Sequence, residues 1–213
     1  MKVKICGITD VKTALATAEY GADAIGFVFA DSKRRISIEK ATEIVSALPN
    51  DVYKVGVFVN ETQEEVERIA SVVGLTHIQL HGDEPASFCE LLSLPVIKAI
   101  SFDGNEGLAD ISQFPAEYIL LDGPKEKYRG GNGTAFDWNE VNAAILSEKR
   151  VILAGGLHLN NVELAINIVK PAMVDVSSGV ESDGVKDLVK IKEFITKVKN
   201  LGGNENEHIY ITK

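Results

Sequence analysis

Residues 2–10 read KVKICGITD, in which a short apolar strand carries a cysteine into a glycine turn at the start of a helix. A second apolar segment, Tyr118–Asp122, ends on a carboxylate in the same way. In α/β proteins with parallel strands, the carboxyl ends of the strands gather at one edge of the sheet. The sequence therefore predicts that the thiol of Cys6 and the carboxylate of Asp122 face each other at that edge.

Eight short segments of β type recur along the chain, and helical patterns fill the intervals between them. Strands that alternate with helices predict βα units and a parallel sheet, and eight such units predict a single (β/α)8 TIM barrel of the α/β class. An open doubly wound sheet is the alternative, although no GxGxxG motif follows the first segment. The predicted strands are Lys2–Cys6, Ala24–Phe29, Tyr53–Val59, His77–Leu80, Val96–Ile100, Tyr118–Asp122, Arg150–Ala154 and Ala172–Ser177.

The helix signals are clearest around the third interval. Thr62 followed by Glu65 is a capping box that predicts a helix over residues 62–73, and Gly74 stands where a left-handed residue would end it. In the last interval, apolar side chains recur every three or four residues, which predicts an amphipathic helix that packs inward. These are Leu188, Ile191, Ile195 and Val198.

The length and composition of the chain favour one domain. With 213 residues, of which 45% are hydrophobic and 25% are charged, the chain has enough apolar material for the core of one α/β barrel. We expect the barrel to occupy residues 1–201. Residues 202–213 are rich in Gly, Asn and Glu and are expected to form a loosely ordered tail.

The formal net charge of −9 argues against a nucleic-acid backbone or an anionic membrane as the main partner. Neither a secretory signal nor an apolar run long enough to span a bilayer is visible, so we expect a cytoplasmic protein. Two cysteines are few for a disulfide scaffold, and they lack the spacing of a zinc site. The pattern leaves open whether the chain is a monomer or a homodimer.

Cys6 and Asp122 are the candidate acid and base. A thiol acts as a general base when a helix start or a cation lowers its pKa, whereas the plainer interpretation of Cys6 is a small buried apolar residue. Asp122 ends a strand that should be buried, where a carboxylate needs a partner or takes up a proton and so suits a general acid. The alternative is that Asp122 caps the following turn.

Two glycine-containing turns follow the seventh and eighth strands. This fold class commonly builds a phosphate site there from backbone N–H groups, and glycine allows close approach of the backbone. The sequence therefore predicts a phosphate site. The alternative is that both turns only need flexible residues. Its candidate residues are Gly155, Gly156, Ser178 and Gly179.

Three further positions bear on ligand binding. The only compact basic cluster follows the second strand, and Arg34 or Arg35 is a candidate clamp for a carboxylate. His81 is expected to line the pocket as a polar contact rather than to bind a metal, because no second histidine accompanies it. The glycine-rich loop at residues 128–133 is a candidate lid. We expect no metal site and no cofactor.

Taken together, the motifs resemble the phosphoribosylanthranilate isomerase family, whose members are (β/α)8 barrels of tryptophan biosynthesis. The resemblance runs in order from residue 4 to residue 181. It is carried by KICGIT at residues 4–9, GFVF at 26–29, VGVFVN at 55–60, QLHGDE at 79–84, LLD at 120–122, FDW at 136–138 and VDVSSGVE at 174–181.

The resemblance implies a cofactor-free Amadori rearrangement of N-(5-phosphoribosyl)anthranilate to 1-(2-carboxyphenylamino)-1-deoxyribulose 5-phosphate. It implies that Asp122 is the general acid that opens the furanose ring and that Cys6 is the general base at the sugar C2. It also implies that Arg34 holds the anthranilate carboxylate and that Asp175 organises the phosphate end. The alternatives are a noncatalytic phosphosugar-binding barrel and another phosphosugar isomerase or epimerase.

Overall fold

The computed structural model describes residues 1–102, 111–123, 137–141 and 149–203. Eight parallel strands form a closed barrel in which each strand pairs with the next and the eighth pairs with the first. The predicted TIM barrel is confirmed, and the β8–β1 pairing excludes the open sheet. The strands are β1 (Lys2–Cys6), β2 (Ala24–Val28), β3 (Tyr53–Phe58), β4 (His77–Leu80), β5 (Val96–Ser101), β6 (Tyr118–Asp122), β7 (Arg150–Leu153) and β8 (Met173–Val176).

Helices connect the strands on the outside of the barrel. Across the described ranges they are α1 (Val11–Glu19), α2 (Ile38–Ala47), α3 (Gln63–Val73), α4 (Ala86–Cys89), α5 (Val162–Val169) and α6 (Leu188–Gly203). In the same ranges, single turns of 3-10 helix lie at Ile111–Gln113, Trp138–Glu140 and Ser178–Val180. A short hairpin of β9 (Glu181–Ser182) and β10 (Val185–Lys186) follows the last of these turns.

The helix ends follow from local side-chain chemistry. Thr62 accepts a hydrogen bond from the backbone N–H of Glu65 at the start of α3, as the capping box predicts, and Gly74 ends the helix with a φ of 78°. Asp10 caps α1 in the same way by accepting from the backbone N–H of Thr13 at 2.8 Å. The α1 cap lies four residues after Cys6, so it holds the turn that carries the thiol.

The alternation of side chains along each strand divides the core into two parts. One face packs against the helices, as with Ile5 and Val176, and the other face fills the barrel interior, as with Tyr118, Leu120 and Met173. Residues two positions apart share a face. Polar side chains at the inward positions near the carboxyl ends of the strands therefore meet inside one end of the barrel.

The domain boundaries proposed from the sequence stay a prediction. The last helix continues to Gly203, two residues beyond the expected end of the barrel, and residues 204–213 lie outside the described residues. Where the structure describes the chain, no helix has both the length and the apolar character needed to cross a bilayer.

Candidate active site

A cavity of about 490 Å³ opens at the carboxyl ends of the strands. Cys6 at the end of β1 and Asp122 at the end of β6 both line it, as the opening motif predicts. Of the other predicted site residues, Gly179 alone does not line the cavity. The remaining ones on its wall are Arg34, His81, Gly155, Gly156, Asp175 and Ser178.

The Cys6 thiol occupies a tight space between two strands. Cys6 pairs with Gly26 of β2, and a Cβ atom at Gly26 would lie 2.7 Å from Cys6 Sγ. Gly26 therefore leaves the room that the sulfur fills. Burial raises the pKa of the Cys6 thiol, and the ammonium group of Lys4 opposes that rise.

The carboxylate of Asp122 has a neighbour at each oxygen. Asp122 Oδ1 accepts a hydrogen bond from the backbone N–H of Gly123 at 2.8 Å. Asp122 Oδ2 lies 3.3 Å from His81 Nε2, although the two groups are not aligned for a hydrogen bond. Gln79 Nε2 lies 3.1 Å from His81 Nδ1 and holds the imidazole ring from its other side. His81 thus connects β4 to the carboxylate on β6.

Three buried polar atoms on the cavity wall lack a hydrogen-bond partner among the described residues. They are Gln79 Oε1, His81 Nε2 and Asp175 Oδ1. Their residues line the same cavity, and a buried polar atom without a partner is costly in a folded protein. A ligand with hydroxyl groups and a further acceptor would satisfy all three.

The two turns predicted to bind phosphate lie side by side. Gly155 and Gly156 have φ values of 78° and 63°, which favour glycine, and a Cβ at Gly155 would lie 2.5 Å from the backbone nitrogen of Gly123. A Cβ at Gly179 would collide with the carbonyl oxygen of Leu157, so Gly179 packs one turn against the other. In the described part of the chain, the backbone N–H groups of Gly156 and Ser178 have no acceptor. The turns therefore offer free donors to an anion.

Arg34 also lines the cavity and is bound to Glu181. Its Nε and Nη2 donate to the two carboxylate oxygens of Glu181 at 2.6 Å and 2.9 Å, which raises the pKa of Arg34. A Cβ at Gly7, whose φ is 80°, would lie 2.5 Å from Arg34 Cδ, so this glycine makes room for the arginine stem. Arg35 also lines the cavity but is exposed, and its side chain has no partner among the described residues.

Comparison with known proteins places the chain in one family. The family profile described as N-(5'phosphoribosyl)anthranilate (PRA) isomerase matches residues 3–197. The chain belongs to this family. The family predicted from the sequence motifs is confirmed.

Individual relatives of the family agree with that assignment. The chain is 54% identical to the N-(5'-phosphoribosyl)anthranilate isomerase of Bacillus cereus (strain G9842), over 93% of this chain and 98% of the relative. A crystal structure of a phosphoribosyl anthranilate isomerase in complex with reduced 1-(o-carboxyphenylamino)-1-deoxyribulose 5-phosphate is 42% identical, with a TM-score of 0.83 and coverage of 94% of this chain and 99% of that one. Monomers generated from the dimeric enzyme of Thermotoga maritima share 42% identity, with a TM-score of 0.82 and the same two coverages.

The family motifs contain site residues that our sequence analysis did not single out. Lys4 and Gln79 stand at inward positions of strands within KIC and QLH, and a polar residue inside an apolar strand was the signal that could have revealed them. Glu181 and Lys186 carry no such local signal. Their carboxylate and amine lie 2.6 Å apart beside Arg34, a contact that only the folded chain brings about.

Two other expectations concern the loop after β6 and metal binding. The glycine-rich loop at residues 128–133, predicted to be a candidate lid, lies outside the described residues. Within the ranges that the structure covers, no group of three or more His, Cys, Asp or Glu side chains is arranged to hold a metal ion.

Proposed function

We propose that this chain catalyses the Amadori rearrangement of N-(5-phosphoribosyl)anthranilate to 1-(2-carboxyphenylamino)-1-deoxyribulose 5-phosphate in tryptophan biosynthesis, with Asp122 as general acid and Cys6 as general base. The observation that carries the proposal is that both side chains open onto one cavity inside the barrel. Membership of the isomerase family supplies the reaction. The roles of Asp122 and Cys6 are those that the resemblance of the sequence motifs implies.

The two anionic ends of the substrate set its orientation in the cavity. The phosphate group binds at Gly155, Gly156 and Ser178, where free backbone N–H groups favour an anion in a chain of net charge −9. The carboxylate of the anthranilate ring binds at Arg34, whose guanidinium plane matches a carboxylate. The ribose then lies between Cys6 and Asp122.

The reaction begins with proton transfer from Asp122. The carboxyl group gives its proton to the furanose ring oxygen, the bond between that oxygen and C1 breaks, and the nitrogen lone pair forms an iminium bond to C1. The backbone N–H of Gly123 binds Asp122 Oδ1 and leaves Oδ2, near His81, on the side that carries the proton. His81 stabilises the carboxylate that remains.

Cys6 completes the isomerisation. Its thiolate takes the proton from C2, the electrons of that bond form a double bond between C1 and C2, and the iminium nitrogen becomes neutral. The iminium cation makes the C2–H bond more acidic, so a base as weak as a thiolate suffices. The resulting enol passes to the ketone by moving a proton from its oxygen to C1. Asp175 Oδ1 accepts a hydrogen bond from a sugar hydroxyl during these steps.

The proposal includes the setting of the enzyme. We propose that the protein acts in the cytoplasm on a small-molecule phosphosugar, without a cofactor and without a nucleic-acid partner, as a monomer or a homodimer. A noncatalytic phosphosugar-binding barrel would need the phosphate turns but neither the acid nor the base. A binding protein of this kind would give no reason for Cys6 and Asp122 to line the same cavity.

The test is an assay of the chain with freshly made phosphoribosylanthranilate, in which the fluorescence of the substrate decays as the product forms. We expect rapid decay with the unaltered chain, also in the presence of a chelator. Asp122→Asn should cut turnover by about 100-fold or more, since removal of a positioned acid has that effect. Its melting temperature should stay close to that of the unaltered chain. A binding protein without activity would leave the fluorescence unchanged in both samples.

A further inference from the structure

Lys4 is a fully buried lysine that no step of the proposed reaction uses. Its side chain is 0% exposed and is absent from the cavity wall, so it does not touch the substrate. A buried ammonium group is costly unless it is paired and hydrogen-bonded. Lys4 Nζ lies 3.0 Å from Asp175 Oδ2. The charge of the amine also interacts with Cys6, which stands two positions further along the same face of β1.

The strand register fixes this arrangement. Lys4 on β1 pairs directly with Asp175 on β8, and Cys6 follows Lys4 by two positions on the same face of its strand. Both neighbours of the amine thus come from the barrel backbone rather than from mobile loops.

Among the ion-paired groups closest in the electrostatics to the thiol, positive charges exceed negative charges by one. The cations are Lys4, Lys186 and Arg34, each of which interacts electrostatically with Cys6. The carboxylates are Asp175, paired with Lys4, and Glu181, paired with both Arg34 and Lys186. Three positive and two negative charges leave one positive charge, which a thiolate at Cys6 would balance. The other titratable side chains on the cavity wall are Asp31, Arg35, Glu61, His81 and Asp122.

We propose that Lys4 is a positioning residue that makes Cys6 competent as a base by stabilising its thiolate, while Asp175 holds the Lys4 ammonium group in place. This inference rests on the proposed role of Cys6. It gives Asp175 two tasks, since Oδ2 binds Lys4 and the unpartnered Oδ1 faces the ligand.

The electrostatics of the pair agree with this role. Burial disfavours the charged form of Lys4, but the Asp175 carboxylate and the Cys6 thiol outweigh it and raise the pKa of Lys4, so the amine stays charged. Burial raises the pKa of Cys6, and Lys4 is the largest influence that lowers it again. Removal of the Lys4 charge takes away the largest influence that opposes the burial of the thiol.

The experiment measures the ionisation of the thiol directly. The rate at which iodoacetamide alkylates Cys6 is followed from pH 6 to pH 10 in a Cys89→Ala background, without substrate. We expect Lys4→Met to move the midpoint of this curve upward by about one pH unit or more, as loss of an adjacent opposite charge does. The pH at which turnover reaches half its maximum should move in the same direction. The matched control is Lys54→Met, which removes a buried lysine of β3 whose amine donates to the carbonyl oxygen of Pro49.

Several outcomes would overturn the proposal. An unchanged midpoint in folded Lys4→Met would do so, and so would an equal shift in Lys54→Met. The double variant Lys4→Met/Asp175→Asn avoids a lone buried carboxylate. If the double variant folds, a raised midpoint of its alkylation curve supports the proposal, and an unchanged midpoint rejects it. If neither Lys4→Met nor the double variant folds, Lys4 is needed for folding and the proposal is withdrawn. A third outcome separates the two proposals: the alkylation midpoint is raised in Lys4→Met, but Cys6→Ser keeps full turnover. That outcome would reject Cys6 as the base and still show that Lys4 stabilises the thiolate.

Discussion

Arg34 holds the carboxylate of Glu181 through Nε and Nη2, at 2.6 Å and 2.9 Å, across 147 residues of chain. The same carboxylate accepts a hydrogen bond from Lys186 Nζ at 2.6 Å. The ion pair with Glu181 therefore orients the guanidinium group of Arg34 before any substrate binds. Arg34 Nη1 has no acceptor among the described residues and remains available to the carboxylate of a ligand.

Replacement of Arg34 should weaken substrate binding more than it slows chemistry. Arg34→Lys cannot hold Glu181 and a second carboxylate at once, because lysine lacks the planar fork of arginine. We expect KM to rise by about 10-fold or more, as loss of a charge-assisted hydrogen bond implies, with a smaller change in kcat. Steady-state kinetics of Arg34→Lys and of the exposed neighbour Arg35→Lys distinguish the two candidate clamps. A rise in KM for Arg35→Lys alone would assign the clamp to Arg35.

The ion pair should also stabilise the fold. Burial alone raises the pKa of Glu181, but the hydrogen bonds from Arg34 and Lys186 outweigh it and lower that pKa. Since the folded-state pKa is lowered, the stabilisation is present above the unfolded pKa near 4.5 and is lost as the pH falls through the folded value. For this partly buried pair, Glu181→Gln should reduce the free energy of unfolding at pH 7 by about 1–3 kcal/mol, between the values for exposed and buried pairs.

Denaturant unfolding at several pH values measures this loss. The control is Glu163→Gln, which breaks an exposed pair with Lys197 and should cost less than about 1 kcal/mol. The difference between Glu181→Gln and the unaltered chain should shrink in acid, where Glu181 is protonated. A difference that grows in acid would contradict the assignment.

Cys6 should be needed for turnover and should set its pH dependence. Cys6→Ser replaces the thiol by a hydroxyl that hardly ionises, so kcat should fall by about 100-fold or more. Because burial raises the pKa of the Cys6 thiol, the thiolate fraction grows with pH, and kcat/KM of the unaltered chain should rise from neutral to alkaline pH. The matched control is Cys89→Ser, since Cys89 is also buried but is not on the cavity wall. Near-normal turnover in Cys6→Ser would remove the thiol from the mechanism.

Gly26 should control the position of the sulfur. A methyl group in Gly26→Ala would lie 2.7 Å from Cys6 Sγ and 3.2 Å from Cys6 Cα, so the thiol must move. We expect kcat to fall by about 10- to 100-fold, in line with the cost of a small misplacement of a catalytic group. The control is Gly74→Ala, whose strained φ of 78° should lower stability without slowing turnover. An unchanged kcat in Gly26→Ala would mean that Gly26 does not control the position of the Cys6 sulfur.

The sequence by itself determined the order and extent of the barrel strands. Each predicted strand lies within one residue of the observed bounds at either end, because an apolar run between turn residues is a local pattern that survives into the fold. The capping box at Thr62 likewise acts within four residues. Once the strands are parallel, the residues after them must meet at one end of the barrel, which is why Cys6 and Asp122 share a cavity.

Only the tertiary structure decided which side chains pair with one another. Lys4 meets Asp175 because β8 closes the barrel against β1, a contact across 171 residues that no local pattern encodes. Arg34 stood out in the sequence as a free basic residue, whereas the fold occupies two of its nitrogens with Glu181. Strand formation depends on neighbours in the sequence, while the charge around the thiol depends on barrel closure, and the second cannot be read from the first.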